Sequence, residues 1–155
     1  MKNKNTPYSV LVAPEWADYN DHLTESYYLY IFSEACADFY HLIGVNQQYR
    51  DNGLSYFTVE TNIQHRNEVK TGERVHVTTQ ICAVDDKRIH LVHKMVHSNY
   101  SSLLAVCEQI LLHVDLTKRR ACCAPKIILQ ALEKLKMKHS NNDTDAWRLS
   151  LPALK

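Results

Sequence analysis

The spacing of apolar and polar positions separates a long helical stretch from the β-rich stretch that follows it. Between Thr24 and about Ile43 there is neither Gly nor Pro, and Tyr27, Tyr28, Leu29, Ile31, Phe32, Ala35, Cys36, Phe39, Leu42 and Ile43 cover most of a helical wheel. That pattern predicts one long helix buried nearly all round. Thr24 suits its N-cap, Glu25 its positive first turn and Gly44 its stop. A short strand is predicted over Tyr8 to Val12, ending at Pro14.

After an irregular stretch through Asn52-Gly53 the period becomes 2, and strands are predicted over Leu54 to His65, Arg74 to Val84, Arg88 to His97 and Leu103 to Asp115. Val75, Val77, Thr79, Ile81 and Ala83 alternate with Arg74, His76, Thr78 and Gln80, the pattern of a sheet with one buried face, and Ile89, Leu91 and Met95 continue it. The breaks at Lys70-Thr71-Gly72, Asp85-Asp86-Lys87 and Ser98 to Ser101 are short and polar, so consecutive strands are expected to pair as antiparallel hairpins. Leu103 to Val114 is apolar on both faces apart from Glu108 and Gln109, which predicts a central or interface strand. Beyond Pro125, Ile127 to Met137 reads as an amphipathic helix. One helix with so much apolar surface, followed by long strands, has few ways to pack. The chain is therefore read as α+β, with a curved antiparallel sheet wrapped around a long central helix.

Composition narrows the class. With 155 residues, 45% of them hydrophobic and 23% charged, one soluble domain is expected over residues 1–138, with a polar tail over 139–155. A formal net charge of +1 with scattered signs gives no field to recruit nucleic acid or an anionic membrane. Met1 to Thr6 is polar with no apolar run behind it, and no stretch approaches the roughly 18 apolar residues of a membrane span. A cytoplasmic location is expected. Five cysteines without a Cys-x-x-Cys pair argue against a disulfide framework and a structural zinc site. His93 and His97 on one strand face would stand about 13 Å apart at ~3.3 Å per residue, so no metal and no cofactor are expected.

The chemistry sits just before the long helix, in Pro14-Glu15-Trp16-Ala17-Asp18-Tyr19-Asn20-Asp21-His22-Leu23-Thr24-Glu25. A thioester carbonyl docked at that helix end would meet unpaired N–H groups and a positive dipole able to hold an oxyanion. Asp18 could attack the carbonyl or activate water. The bland alternative is a loop carboxylate with no catalytic part.

This loop resembles that of the 4-hydroxybenzoyl-CoA thioesterase-like branch of the hotdog superfamily, whose pattern Asp-x-x-Gly-His-x-x-x-x-x-Tyr is matched at Asp18, His22 and Tyr28. Val59-Glu60-Thr61 with Ile63, and Glu68 to Glu73 leading into Val75-His76-Val77, extend the resemblance over roughly Tyr8 to Asp115. It implies a hotdog fold, an acyl-CoA substrate, Asp18 as the catalytic carboxylate, and the backbone N–H near Glu25 as the oxyanion donor. His22 is a proton carrier or a hydrogen-bonding brace. One departure stands out: the family's Gly before the His is Asp21 here, which alters the loop's backbone or adds a second negative charge. The resemblance also implies a homodimer or homotetramer, and the apolar Leu103 to Val114 strand agrees. Arg66 and Arg88, with Lys70, Lys87, Arg119 and Arg120, are candidates for the CoA phosphates. The Trp16 to Asn20 motif, Tyr56 to Thr61 and Val84 to Arg88 are similar to thioesterases of carnitine breakdown, whose implied substrate is betainyl-CoA. Trp16, Tyr19, Tyr27 and Tyr56 would then line a cage for its trimethylammonium head; ordinary packing is the competing reading for each, and Tyr28 of the matched motif is a further substrate-binding candidate. A hotdog hydratase or dehydratase and a non-catalytic acyl-CoA binder are the alternative functions.

Overall fold

A computed structural model describes residues 7–139. Residues 1–6, and residues 140–155 of the expected tail, lie outside the described residues. Chain order is β1 (Tyr8–Leu11), a 3₁₀ turn (Pro14–Trp16), α1 (Glu25–Leu42), α2 (Gln47–Asp51), β2 (Leu54–His65), β3 (Arg74–Val84), β4 (Arg88–His97), β5 (Leu103–Asp115), β6 (Arg120–Ala121) and α3 (Lys126–His139). The class is α+β. The strands form one sheet in the order β1-β3-β4-β5-β2, with β6 paired to β5. β1 runs antiparallel to β3 with Tyr8 opposite Val77 and Leu11 opposite Arg74.

β2 and β3 are not the hairpin that their short polar break predicts. They lie at separate places in the sheet, and the segment between them pairs elsewhere: the N–H groups of Arg66 and Asn67 both donate to the Leu104 carbonyl, and Lys70 bridges His22. β5, flanked by β4 and β2, is an inner strand, which accounts for its apolar residues on both faces. Two short elements, α2 and β6, carry too little periodicity to be read in advance; α2 is capped by the Asn46 side chain, which accepts from the Tyr49 N–H at 3.0 Å.

α1 begins one residue after Thr24 and ends as Gly44 turns to φ +89°, with the Val45 N–H reaching back to the Tyr40 carbonyl at 2.9 Å. The expectation that it is buried nearly all round does not hold. Ser26, Leu29, Tyr30, Ser33, Glu34 and Ala37 form an exposed stripe at helical spacing, with Leu29 43% and Tyr30 46% exposed. The wheel included apolar residues on this side, and none of the described residues covers them.

The chain divides into two compact units. The first comprises Met1–Asp38, Ile63–Thr79 and His93–Cys107. Its core gathers Val12, Leu23, Ile31, Phe32, Val75 and Met95, with Tyr8, Trp16 and Tyr27 packed at the margin. The second comprises Phe39–Asn62, Gln80–Val92 and Glu108–Lys155. Its buried residues include Ile81, Ile89, Leu91, Leu111 and, from α3, Ile128 and Leu132. Polar side chains are buried here too: His90 Nε2 lies 2.5 Å from Glu108 Oε1 with neither exposed. β4 therefore buries both faces rather than the alternate one, because its histidines find partners inside the protein. Among the described residues no helix is long and apolar enough to cross a membrane.

Candidate active site

The Asp18 loop belongs to the first unit and is tied at both ends. Pro14 opens the 3₁₀ turn, the Ala17 N–H donates back to the Pro14 carbonyl at 3.2 Å, and an isolated bridge between Ala17 and Leu23 closes the loop. The Thr24 N–H donates to the Trp16 carbonyl at 2.9 Å and the Asp18 N–H to the His22 carbonyl at 2.8 Å. A second seam joins the loop to the segment before β3, where the Leu23 N–H donates to the Val69 carbonyl at 2.8 Å. This long-range seam is what the sequence could not announce.

Within the loop, Asp18 Oδ1 accepts from the Asn20 N–H at 2.8 Å and the His22 N–H at 3.2 Å, an Asx turn that fixes the side chain. Oδ2 has no hydrogen-bond partner among the described residues. Asp21 adopts φ 60°, the left-handed conformation that favours glycine. Its carboxylate accepts from Thr71 Oγ1 at 2.9 Å. Aspartate tolerates this conformation better than most residues, and the Thr71 bond helps hold it there.

His22 sits 3.5 Å by its Nε2 from Glu68 Oε1, on the side of the second seam. Glu25 is the exposed first residue of α1; its N–H and that of Ser26 have no partner within the helix, as in any first turn. Tyr28 is buried, its hydroxyl donating to the Asn67 carbonyl at 3.4 Å and its ring edge-on to His65. Burial, followed by the charges of Glu68 and Asp18, pushes Tyr28 up to about 12, so it is a neutral hydrogen-bond donor near those carboxylates.

The aromatic candidates separate. Trp16 stacks on Tyr27 with ring centroids 5.3 Å apart and planes 18° from parallel. Tyr30, which the sequence reading did not single out, stands beside both, 5.6 Å from Trp16 and 6.1 Å from Tyr27. Only its helical spacing to Tyr27 could have signalled it. Tyr19 is 97% exposed. Tyr56 lies in the second unit, buried against Tyr40 and His113, and burial holds its hydroxyl above the ordinary tyrosine range. The basic candidates separate as well. Arg66 bonds Gln64 Oε1 at 2.6 Å, and Arg88 is held by Asp85 through its Nε at 2.8 Å and a second nitrogen at 2.6 Å. Although burial pushes Asp85 up, bonds from Arg88 and from the Lys87 backbone bring it below the usual carboxylate value. Arg119 and Arg120 line a depression of about 330 Å³ in the second unit, with Phe57, Leu112, Val114 and Leu116 as its apolar walls. No disulfide joins any of the five cysteines, and among the described residues no cluster of three or more His, Cys, Asp or Glu is placed to hold a metal.

Comparison with known proteins sets this geometry in context. The model of the thioesterase-like superfamily matches residues 12–132. A betainyl-CoA thioesterase of Pseudomonas aeruginosa is 40% identical over 140 residues, covering 90% of this chain and 88% of that protein. A Rhizobium protein named L-carnitine dehydrogenase/betainyl-CoA thioesterase is 35% identical over 133 residues; the chain spans only 27% of its length. Among solved structures, a putative thioesterase from Pseudomonas putida superposes with a TM-score of 0.78 at 33% identity, covering 96% of this chain and 97% of that one. A Staphylococcus aureus protein crystallised in complex with CoA superposes with a TM-score of 0.82 at 23% identity, covering 96% and 89%. These likenesses show the α+β hotdog fold.

Proposed function

The chain belongs to the thioesterase-like superfamily and carries its hotdog domain, and from that premise we propose that it is an acyl-CoA thioesterase in which Asp18 opens the thioester at the N-terminus of α1. The observation that carries this reading is the state of the Asp18 carboxylate. One oxygen is pinned by two backbone amides and the other is left unbonded, on a loop that leads directly into a first helical turn.

In the reaction Oδ2 attacks the thioester carbonyl, or takes a proton from a water that attacks it. The carbonyl oxygen gains charge and is held by the N–H of Glu25, with the helix dipole behind it. Collapse of that intermediate expels the CoA thiolate. If Asp18 attacked directly, water then hydrolyses the mixed anhydride and restores the carboxylate. His22 braces the loop against Glu68 rather than carrying the proton, since its Nε2 faces that side chain.

Betainyl-CoA is the substrate this reading favours, on the strength of the P. aeruginosa relative's name and its coverage of nearly the whole chain. CoA's phosphates are matched by Arg119 and Arg120, which have no side-chain partner among the described residues, better than by Arg66 and Arg88, whose guanidinium groups already bond Gln64 and Asp85. A homodimer is the assembly proposed. β2 ends the sheet and leaves Phe57 52% and Val59 51% exposed, an apolar edge that a second copy would cover. A panel of betainyl-, acetyl- and benzoyl-CoA tests the substrate. We expect kcat/KM for betainyl-CoA to exceed that for acetyl-CoA by about tenfold or more; equal values would end the betainyl reading.

A further inference from the structure

Resting on the betainyl-CoA reading, we propose that Trp16, Tyr27 and Tyr30, together with Glu34, form the subsite for the substrate's quaternary ammonium group. The three rings are arranged as a corner. Trp16 and Tyr27 lie nearly parallel, and Tyr30 stands almost equally far from both, with its plane 65° from Trp16 and 78° from Tyr27. A cation cannot enter the stack itself, whose centroids are 5.3 Å apart. Tyr30 stands beside the stack, and the sides of the three rings left open to solvent are the surfaces that would attract a cation over ~6 Å. Tyr30 is 46% exposed and Trp16 and Tyr27 are partly buried, so the rings are fixed by packing on one side and open on the other.

Charge agrees with the shape. Glu34 lies one helical turn beyond Tyr30 on the exposed stripe of α1. Its field is felt at the neighbouring Tyr8, whose hydroxyl is raised by burial first and then by Glu34, Tyr30 and Asp38. Reach agrees too. In a betainyl group the ammonium nitrogen is two bonds from the reacting carbonyl carbon. An attacking oxygen approaches that carbon to ~3–3.5 Å, so the cation must lie close to Asp18. Trp16 is two residues from Asp18 in the chain, and its carbonyl accepts from the Thr24 N–H at 2.9 Å at the start of α1. By the same measures Tyr19, with its side chain in solvent, and Tyr56, with its ring packed on Tyr40 and His113, take no part.

The test compares betainyl-CoA with 3,3-dimethylbutyryl-CoA, the neutral isostere in which carbon replaces the quaternary nitrogen. The readout is the ratio of their kcat/KM values in the parent and in Tyr30→Leu, Tyr30→Phe, Trp16→Leu and Glu34→Gln. The parent is expected to favour the cation, Tyr30→Leu and Trp16→Leu to lower the ratio by about tenfold, and Glu34→Gln by about threefold. Tyr30→Phe, which keeps the ring, should retain it. Tyr30 and Glu34 are exposed, so their variants give a reading even if Trp16→Leu does not fold. A parent that prefers betainyl-CoA while Tyr30→Leu and Glu34→Gln keep that preference overturns the subsite and leaves the substrate standing. A parent with no preference for the cation overturns both.

Discussion

The molecule contains two aromatic clusters of similar composition and opposite setting. Trp16, Tyr27 and Tyr30 meet at the edge of the first unit's core, with Tyr30 nearly half exposed. Tyr40, Tyr56 and His113 meet inside the second, where Tyr56 is 5% exposed and His113 is not exposed at all. The buried cluster is also closed by hydrogen bonds: His113 Nε2 is 2.7 Å from the Tyr49 hydroxyl and its Nδ1 is 3.0 Å from the Cys122 carbonyl. Because a carbonyl can only accept, Nδ1 carries the proton, and Nε2 accepts from Tyr49. The contrast teaches that ring content says little by itself about ligand binding. Rings enclosed by packing and tied by internal hydrogen bonds, as at His113, hold the fold, and those packed on one side only remain available to a ligand.

If that division is right, truncation separates the clusters by what is lost. Tyr56→Ala empties a buried ring site and should cost about 3–5 kcal/mol of stability, read as a large fall in the urea midpoint. Tyr30→Ala should cost less than about 1 kcal/mol by the same measurement. Comparable losses in the two variants would erase the distinction.

The buried cluster should also respond to pH. Burial lowers the pKa of His113, only partly offset by its bond to the Cys122 carbonyl, while in the unfolded chain it returns to about 6.5. As pH falls through that value the unfolded state takes up a proton that the folded state does not, so stability drops on acidification. His139, also lowered by burial, acts in the same direction. The urea midpoint should therefore fall between about pH 7.5 and 5.5, and the fall should be smaller, though not abolished, in His113→Gln. An unchanged slope in that variant would remove His113 from the account of this cluster. The smallest effect is expected at Asp21→Gly, where glycine accepts the left-handed backbone at φ 60° but loses the Thr71 bond. Stability should stay within about 0.5 kcal/mol of the parent, and a several-fold loss of thioesterase activity would mean that the Asp21 carboxylate does more than hold the loop.

Local pattern carried the elements further than it carried their arrangement. The four long strands fall where alternation and polar breaks place them, Leu54–His65, Arg74–Val84, Arg88–His97 and Leu103–Asp115, and α1 ends at the glycine that signals its stop. The separation of β2 from β3 was not legible, because it depends on Arg66 and Asn67 meeting Leu104, residues far apart in the chain. Nor was the exposed stripe of α1, since apolar residues around a helix record burial in whatever assembly the chain forms, including one beyond a single copy. At the candidate site the motif named Asp18, His22 and Tyr28, but not Tyr30, Thr71 or the partners that already occupy Arg88. Those follow from tertiary neighbours rather than from spacing.

Asp18→Asn tests the proposed chemistry most directly, because it replaces one carboxylate oxygen while keeping the side chain's size. CoA release from betainyl-CoA at saturating substrate, in a variant whose circular dichroism and urea midpoint match the parent, is expected to fall by about a thousandfold or more. Release within about threefold of the parent would contradict the proposal that this carboxylate opens the thioester.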